Sequence, residues 1–180
     1  AYRGQVLEYN QKKKEIYRLQ GNKSAYIEQL WKLVLEQSAG DLDIYKELKA
    51  QYSEKEWLIK REELFKKLPA NAHIDRLYKE EKLYDRLLAY VLKSSGLYAV
   101  QSYENVLKKE YPKQILSKYQ DEVNKMASCT GNRKHYADLV ALLRRMKQIK
   151  GGSEIVETIV EEWKIKYRNR PAMMDELSKL

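Results

Sequence analysis

The sequence predicts an all-α protein built as a right-handed superhelix of antiparallel helix pairs, and three observations carry that prediction. Only seven Gly and three Pro punctuate 180 residues, too few for the many tight turns of a β-sandwich or barrel. Apolar residues recur at helical spacing along nearly the whole chain rather than alternating. The implied helices, ten or eleven in number and about 9 to 18 residues long, are joined by turns of about two to five. A hairpin of that size cannot bury its own apolar face, so neighbours must stack into a curved array.

The elements follow in order. From Gln5, the residues Val6, Tyr9, Ile16 and Leu19 step at roughly helical intervals until Gly21-Asn22 stops them. A second helix, Lys23 to Gln37, presents Tyr26, Ile27, Leu30, Trp31, Leu33 and Val34 and ends at Gly40. Asp41 can cap a short helix with Leu42, Ile44, Tyr45 and Leu48. Ser53 and Glu56 form an S-x-x-E capping box before Trp57, Leu58, Arg61, Leu64, Phe65 and Leu68, and Pro69 closes that helix.

Asn71 is placed to cap the next helix, with Ile74, Leu77 and Tyr78, and "EEK" makes a turn before Leu83, Tyr84, Leu87, Leu88 and Val91. After "SSG" comes a helix from Leu97 to Lys109, then one opened by Pro112 with Ile115, Leu116, Tyr119, Val123 and Met126. Tyr136, Leu139, Val140, Leu143 and Met146 line the following helix, which Gly151-Gly152 end. Ser153 is placed to cap a helix with Val156, Ile159, Val160 and Trp163, and Pro171 starts a last short one. Trp31, Trp57, Leu64, Tyr84, Leu87, Tyr136, Leu143 and Trp163 are predicted to lie between helices.

Two stretches begin alike, "GNKSAYIEQLWKLVL" from Gly21 and "GNRKHYADLVALLRR" from Gly131. In each, Gly or Asn ends one helix, a basic residue starts the next, and Tyr26 or Tyr136 packs back across the pair. Fifteen tyrosines against one Phe suit a thin helical stack, where a ring can be buried while its hydroxyl reaches the rim.

Composition narrows the function classes. With 43% hydrophobic and 34% charged residues the chain is not a disordered mixture, and a mean hydropathy of −0.74 fits helices with solvated faces. A single cysteine, Cys129, excludes internal disulfides and paired-cysteine zinc sites and suits a reducing compartment. The sequence has no apolar run of membrane-spanning length, about 18 residues. The opening "AYRGQVLEYNQKKKE" has no signal-peptide core, so a cytoplasmic protein is expected. That opening lacks an initiator Met and begins inside an apparent helix, which reads as a C-terminal fragment of a longer polypeptide, one helical-repeat domain over 1–180.

His73 and His135 lie in no metal-ligand spacing, and there is no phosphate loop, nucleophile elbow or Cys-His pair with an orienting acid. A non-enzymatic chain without cofactor or metal is therefore expected. The net charge of +9 is the one compositional feature that bears on binding. Arg144, Arg145, Lys150, Lys164, Lys166, Arg168 and Arg170 fall within two adjacent helices, with Arg144 and Arg145 projected outward, opposite Tyr136 and Leu143. An outward ridge of this kind can contact phosphates of nucleic acid without reading bases. The plainer reading is that bases in a last turn complement the helix dipole and neighbouring acids.

Three segments, "GNKSAYIEQLWKLVLEQSAGDLDIYKELKAQYSEKEWLIKREELFKKL", "IDRLYKEEKLYDRLLAYVL" and "YQDEVNKMASCTGNRKHYADLVALLRRMKQIKGGSEIVETIVEEWKIKYRNRPAMMDELSKL", carry a further signal. Together they resemble the C-terminal helical region of bacterial SWIM zinc-finger proteins. The most telling pieces are Ser53-x-x-Glu56-Trp57, Asn132-Arg133-x-x-Tyr136, and Tyr167-Arg168-x-Arg170-Pro171-Ala172 running into Asp175-Glu176-Leu177. The resemblance implies a tetratricopeptide-like helical tail that serves as a protein-interaction platform, with the zinc site upstream. The C-x-C…C-x-H ligands themselves are absent here, so no zinc function carries over. The expectation is a scaffold for a protein partner, with sequence-independent nucleic-acid binding as the alternative.

Overall fold

The computed structural model describes residues 2–180. Among the described residues there are eleven α-helices and no strand. The chain divides into two compact units, the first reaching Leu83 and the second Tyr84–Leu180.

The first unit holds α1 (Tyr2–Leu19), α2 (Lys23–Lys32), α3 (Leu42–Lys49), α4 (Glu54–Lys67) and α5 (Ile74–Glu80). Its core is built from Leu30, Leu33, Val34, Tyr45, Leu48, Leu64 and Leu77, all fully buried. The Tyr45 ring meets Trp57 edge-on at 5.1 Å and stacks on Phe65 at 6.4 Å. The capping box forms as predicted: Ser53 Oγ accepts from the Glu56 N–H, and Glu56 Oε2 accepts from the Ser53 N–H at 2.9 Å.

The second unit holds α6 (Tyr84–Lys93), α7 (Tyr98–Leu107), α8 (Pro112–Ser128), α9 (Arg133–Lys147), α10 (Gly152–Lys166) and α11 (Pro171–Leu177). Helix α9 is packed by α8, α10 and α11, and Leu143 and Met146 on it are fully buried. Trp163 packs inward from α10 and donates its indole N–H to Asn124 Oδ1 at 2.8 Å, so the one polar atom of a buried ring is satisfied. Pro112 and Pro171 both sit in a first helical turn, where a missing N–H costs nothing.

The two Gly-Asn openings play the same part with one difference. Asn22 and Asn132 are N-caps of α2 and α9, their side chains accepting from the Ala25 N–H at 3.2 Å and the His135 N–H at 3.0 Å. The Asn thus starts the following helix rather than ending the previous one. Gly21 ends α1 in the left-handed region, with φ of 69°. Gly131 is required for space instead, because a Cβ there would fall 2.4 Å from the His135 ring.

Several sequence expectations are corrected. Helix α2 gives way at Leu33–Gln37 to a π-helical turn, in which the Ser38 N–H reaches the Leu33 carbonyl at 2.9 Å. Asn71 does not cap α5; His73 occupies that position without a side-chain bond. Ser153 does not cap α10, because the helix already begins at Gly152 after Gly151 in the left-handed region. Trp57, Leu64, Leu87, Tyr136, Leu143 and Trp163 are buried as predicted, while Trp31 and Tyr84 are only half-buried.

The largest correction concerns α1. Of the four residues read from the sequence as its apolar stripe, Val6 is half-buried, whereas the other three face outward: Tyr9 is 65% exposed, Ile16 50% and Leu19 81%. The face turned to the core carries Leu7, Asn10, Lys14 and Tyr17. Polar bonds hold it there. Asn10 Oδ1 accepts from Gln29 Nε2 at 2.9 Å, and Lys14 pairs with Glu47 at 2.6 Å.

Buried carboxylates tie helices together within each unit. Glu81, just past α5, accepts from Lys49 on α3 at 2.8 Å and from the Trp57 indole on α4 at 3.1 Å, and it pairs with Arg61 at 3.3 Å. Burial pushes its carboxyl up, but these hydrogen bonds and the Lys49 charge outweigh burial and hold it below the usual carboxylate range. Glu104 on α7 does the same work for α8 and α9, through Tyr119 and Arg145.

Candidate interaction surfaces

The seven basic residues of the predicted ridge do not share one state. Arg145 turns back into its unit: its Nε donates to Glu104 Oε2 at 2.6 Å and its Nη2 reaches the Gln101 carbonyl at 3.3 Å. The hydrogen bond to Glu104 raises its already high pKa. Arg170 spends its guanidinium on the end of α8, donating to the carbonyls of Ala127 at 2.7 Å, Ser128 and Cys129, and lies 4.3 Å from the Tyr167 ring. Arg144 donates to the Lys179 carbonyl at 2.6 Å, although it remains exposed.

The outward projection of Arg145 is therefore corrected. A helical wheel shows that a side chain leaves the apolar stripe, but it does not show the acid on another helix waiting beside it. Lys150, Lys164, Lys166 and Arg168 remain exposed and make no ion pair among the described residues, with Lys166 lying 5.4 Å from the Tyr167 ring. Three of these four, Lys164, Lys166 and Arg168, run along the end of α10 and just past it.

A groove of about 260 Å³ lies between α10 and α11. Val156, Val160, Leu177 and Leu180 supply its apolar lining, and Glu157, Glu161, Lys147 and Lys164 its charged rim. Glu157 and Glu161 are exposed, one helical turn apart, and neither meets a cation among the described residues. Like charges at that spacing repel by a few tenths of a kcal/mol, about 0.2–0.5. In the first unit the matching feature is the outward stripe of α1, where Lys12 pairs with Glu8 and Arg18 with Glu15, leaving the apolar residues as the unpartnered groups.

Periodicity located the helices that carry these surfaces but not the surfaces themselves. The sequence pattern did not single out Glu157 and Glu161, and it showed Tyr9, Ile16 and Leu19 only as residues at helical intervals. No family model matches the chain, and neither a curated protein nor a solved structure is similar to it. Among the described residues no helix is long and apolar enough to cross a membrane.

Proposed function

We propose that the chain is a non-catalytic, cytoplasmic helical-repeat scaffold that mediates protein–protein interaction and works without a cofactor. The observation that carries this reading is the solvent-facing stripe Tyr9, Ile16 and Leu19 on α1. Grouped exposed apolar side chains on a folded helix mark an interface. A right-handed tetratricopeptide-like superhelix is the architecture we assign to it. Packing between successive helices, α1 on α2, α2 on α3, α6 on α7, α7 on α8, α8 on α9 and α9 on α10, supports that assignment.

Kinship with the C-terminal helical region of bacterial SWIM zinc-finger proteins remains part of the same proposal, resting on the residue blocks at Ser53, Asn132 and Tyr167. The test is affinity capture from the source cell with the native chain and with a Tyr9→Ser, Ile16→Ser, Leu19→Ser variant, followed by identification of bound proteins. A reproducible partner lost with the variant is the expected result. No reproducible partner, or one retained by the variant, contradicts the reading.

The second reading, sequence-independent nucleic-acid binding, is favoured by a separate observation: Lys164, Lys166 and Arg168 are exposed and unpaired along one segment. Its test is duplex binding over a salt series, with log K expected to change by about −0.9 per phosphate neutralised. Replacing these three by Ser should flatten the slope by up to about three phosphates' worth. Absence of binding at low salt removes this reading.

A further inference from the structure

We propose that the outward face of α1 docks on the same face of a second copy of this chain, with the two helices parallel about a two-fold axis. This deepens the scaffold reading and rests on it, by naming the partner of the α1 stripe. Tyr9, Ile16 and Leu19 are all at least half exposed, and with Lys12 they follow one another at spacings of 3, 4 and 3 residues. That alternation is the seam of a coiled coil, which a matching helix covers along its length. The opposite face of α1 is already committed to its own unit through Leu7, Asn10 and Tyr17.

The charges on the two flanks of the seam select the occupant and its orientation. Glu8 and Glu15, one residue ahead of Tyr9 and Ile16, line one flank, and Lys13, one residue after Lys12, stands on the other. Lys13 makes no ion pair among the described residues and lies 5.6 Å from the Tyr17 ring. Glu8 holds Lys12 through Oε1 at 2.7 Å and is 66% exposed, so its Oε2 is open to a second donor. A parallel pair sets each acidic flank against the other copy's basic one, and symmetry brings Glu8 to Lys13 twice. An antiparallel pair sets acid against acid and Lys13 against Lys13, which opposes it.

A groove of about 650 Å³ lined by Glu8, Glu15, Ile16 and Ile44 runs along the acidic flank and leaves room for the incoming lysine stem. Lys12 is the one polar residue in the seam. It meets its own counterpart across the axis at a cost that its bond to Glu8 reduces, and one polar seam position fixes the register of a helix pair.

The experiment uses the whole 180-residue chain in a Cys129→Ser background, since Cys129 is exposed and would cross-link by itself. Sedimentation equilibrium should show a reversible dimer with a Kd of about 1–100 μM, as suits a short seam. Lys12→Leu, which completes the apolar seam, should tighten the dimer at least about tenfold. Lys13→Glu should weaken it at least about fivefold, because attraction becomes repulsion at two sites. The swapped variant Glu8→Lys, Lys13→Glu should return to within about threefold of the native Kd. Helical content of each variant is the folding control. Orientation is read by mixing and oxidising Tyr9→Cys and Leu19→Cys chains. In a parallel pair positions 9 and 19 of opposite copies lie about 15 Å apart along the helices, so only homodisulfides form.

A monomer up to about 1 mM, a threshold missed by any of the three variants, or a disulfide between positions 9 and 19 overturns the pairing. A monomeric chain that still captures a different protein through Tyr9, Ile16 and Leu19 keeps the scaffold reading and removes this one, so the two failures are separable.

Discussion

Arg145 and Tyr119 converge on one oxygen: Glu104 Oε2 accepts from the Arg145 Nε at 2.6 Å and from the Tyr119 hydroxyl at 2.5 Å. Three helices of the second unit meet at that carboxylate, which is almost fully buried. Burial and the neighbouring Glu104 carboxylate both push the Tyr119 hydroxyl well above its usual pKa, so it stays a proton donor at neutral pH.

Removing Arg145 leaves that acid with the Tyr119 hydroxyl and the more distant Lys108, 3.6 Å away, as its partners. Arg145→Ser should destabilise the chain by about 1–3 kcal/mol, the cost of a partly orphaned buried charge. Arg168→Ser, at an exposed and unpaired position, should stay within about 0.5 kcal/mol. Denaturant unfolding of the two variants checks the contrast, and equal effects would show that Arg145 is a surface residue after all.

Trp57 has two tasks that substitution can separate. Trp57→Ala should cost about 3–5 kcal/mol, since the ring is 3% exposed and packs on Tyr45. Trp57→Phe keeps an aromatic ring but loses the donor to Glu81, and should cost less. Equal losses for both would mean that the indole N–H, rather than the packing, dominates.

The Glu81 carboxyl, lowered in the folded chain, adds stability that is fully present above its unfolded pKa of about 4.3. That stability is lost as pH falls through the folded value. Glu81→Gln should therefore destabilise at neutral pH and flatten the loss of stability below about pH 5. Urea titrations at neutral and acid pH measure this. A penalty unchanged between them would exclude the carboxylate charge as its source.

Gly131→Ala should destabilise by about 1–3 kcal/mol through overpacking, because the new methyl group meets the His135 ring. The displaced ring would also leave its contact with the Met126 carbonyl, now 3.1 Å from Nε2. Melting curves of the variant test this, and an unchanged curve would mean that the ring can swing aside freely.

What the sequence revealed depended on how local the cause was. The Ser53–Glu56 box, the prolines that open α8 and α11, and the burial of Trp57 and Trp163 follow from residues within a turn or two of each other, so pattern alone located them. The orientation of α1 was not legible, since its outward stripe scores as a core face and only Gln29 and Glu47, on later elements, hold Asn10 and Lys14 inward. The same applies to Glu81, Glu104 and Arg145. A carboxylate is buried only where donors arrive from other helices, and periodicity carries no information on which acid they will meet.

The scaffold reading is tested most directly at the α1 stripe, by titrating the partner identified in capture experiments against the native chain and against the Tyr9→Ser, Ile16→Ser, Leu19→Ser variant. These side chains are at least half exposed, so their replacement should leave the melting temperature nearly unchanged. The partner's affinity should meanwhile fall by about a hundredfold, as expected when apolar anchors leave an interface. Full affinity in the variant, with the fold intact, would contradict a role for this surface in binding.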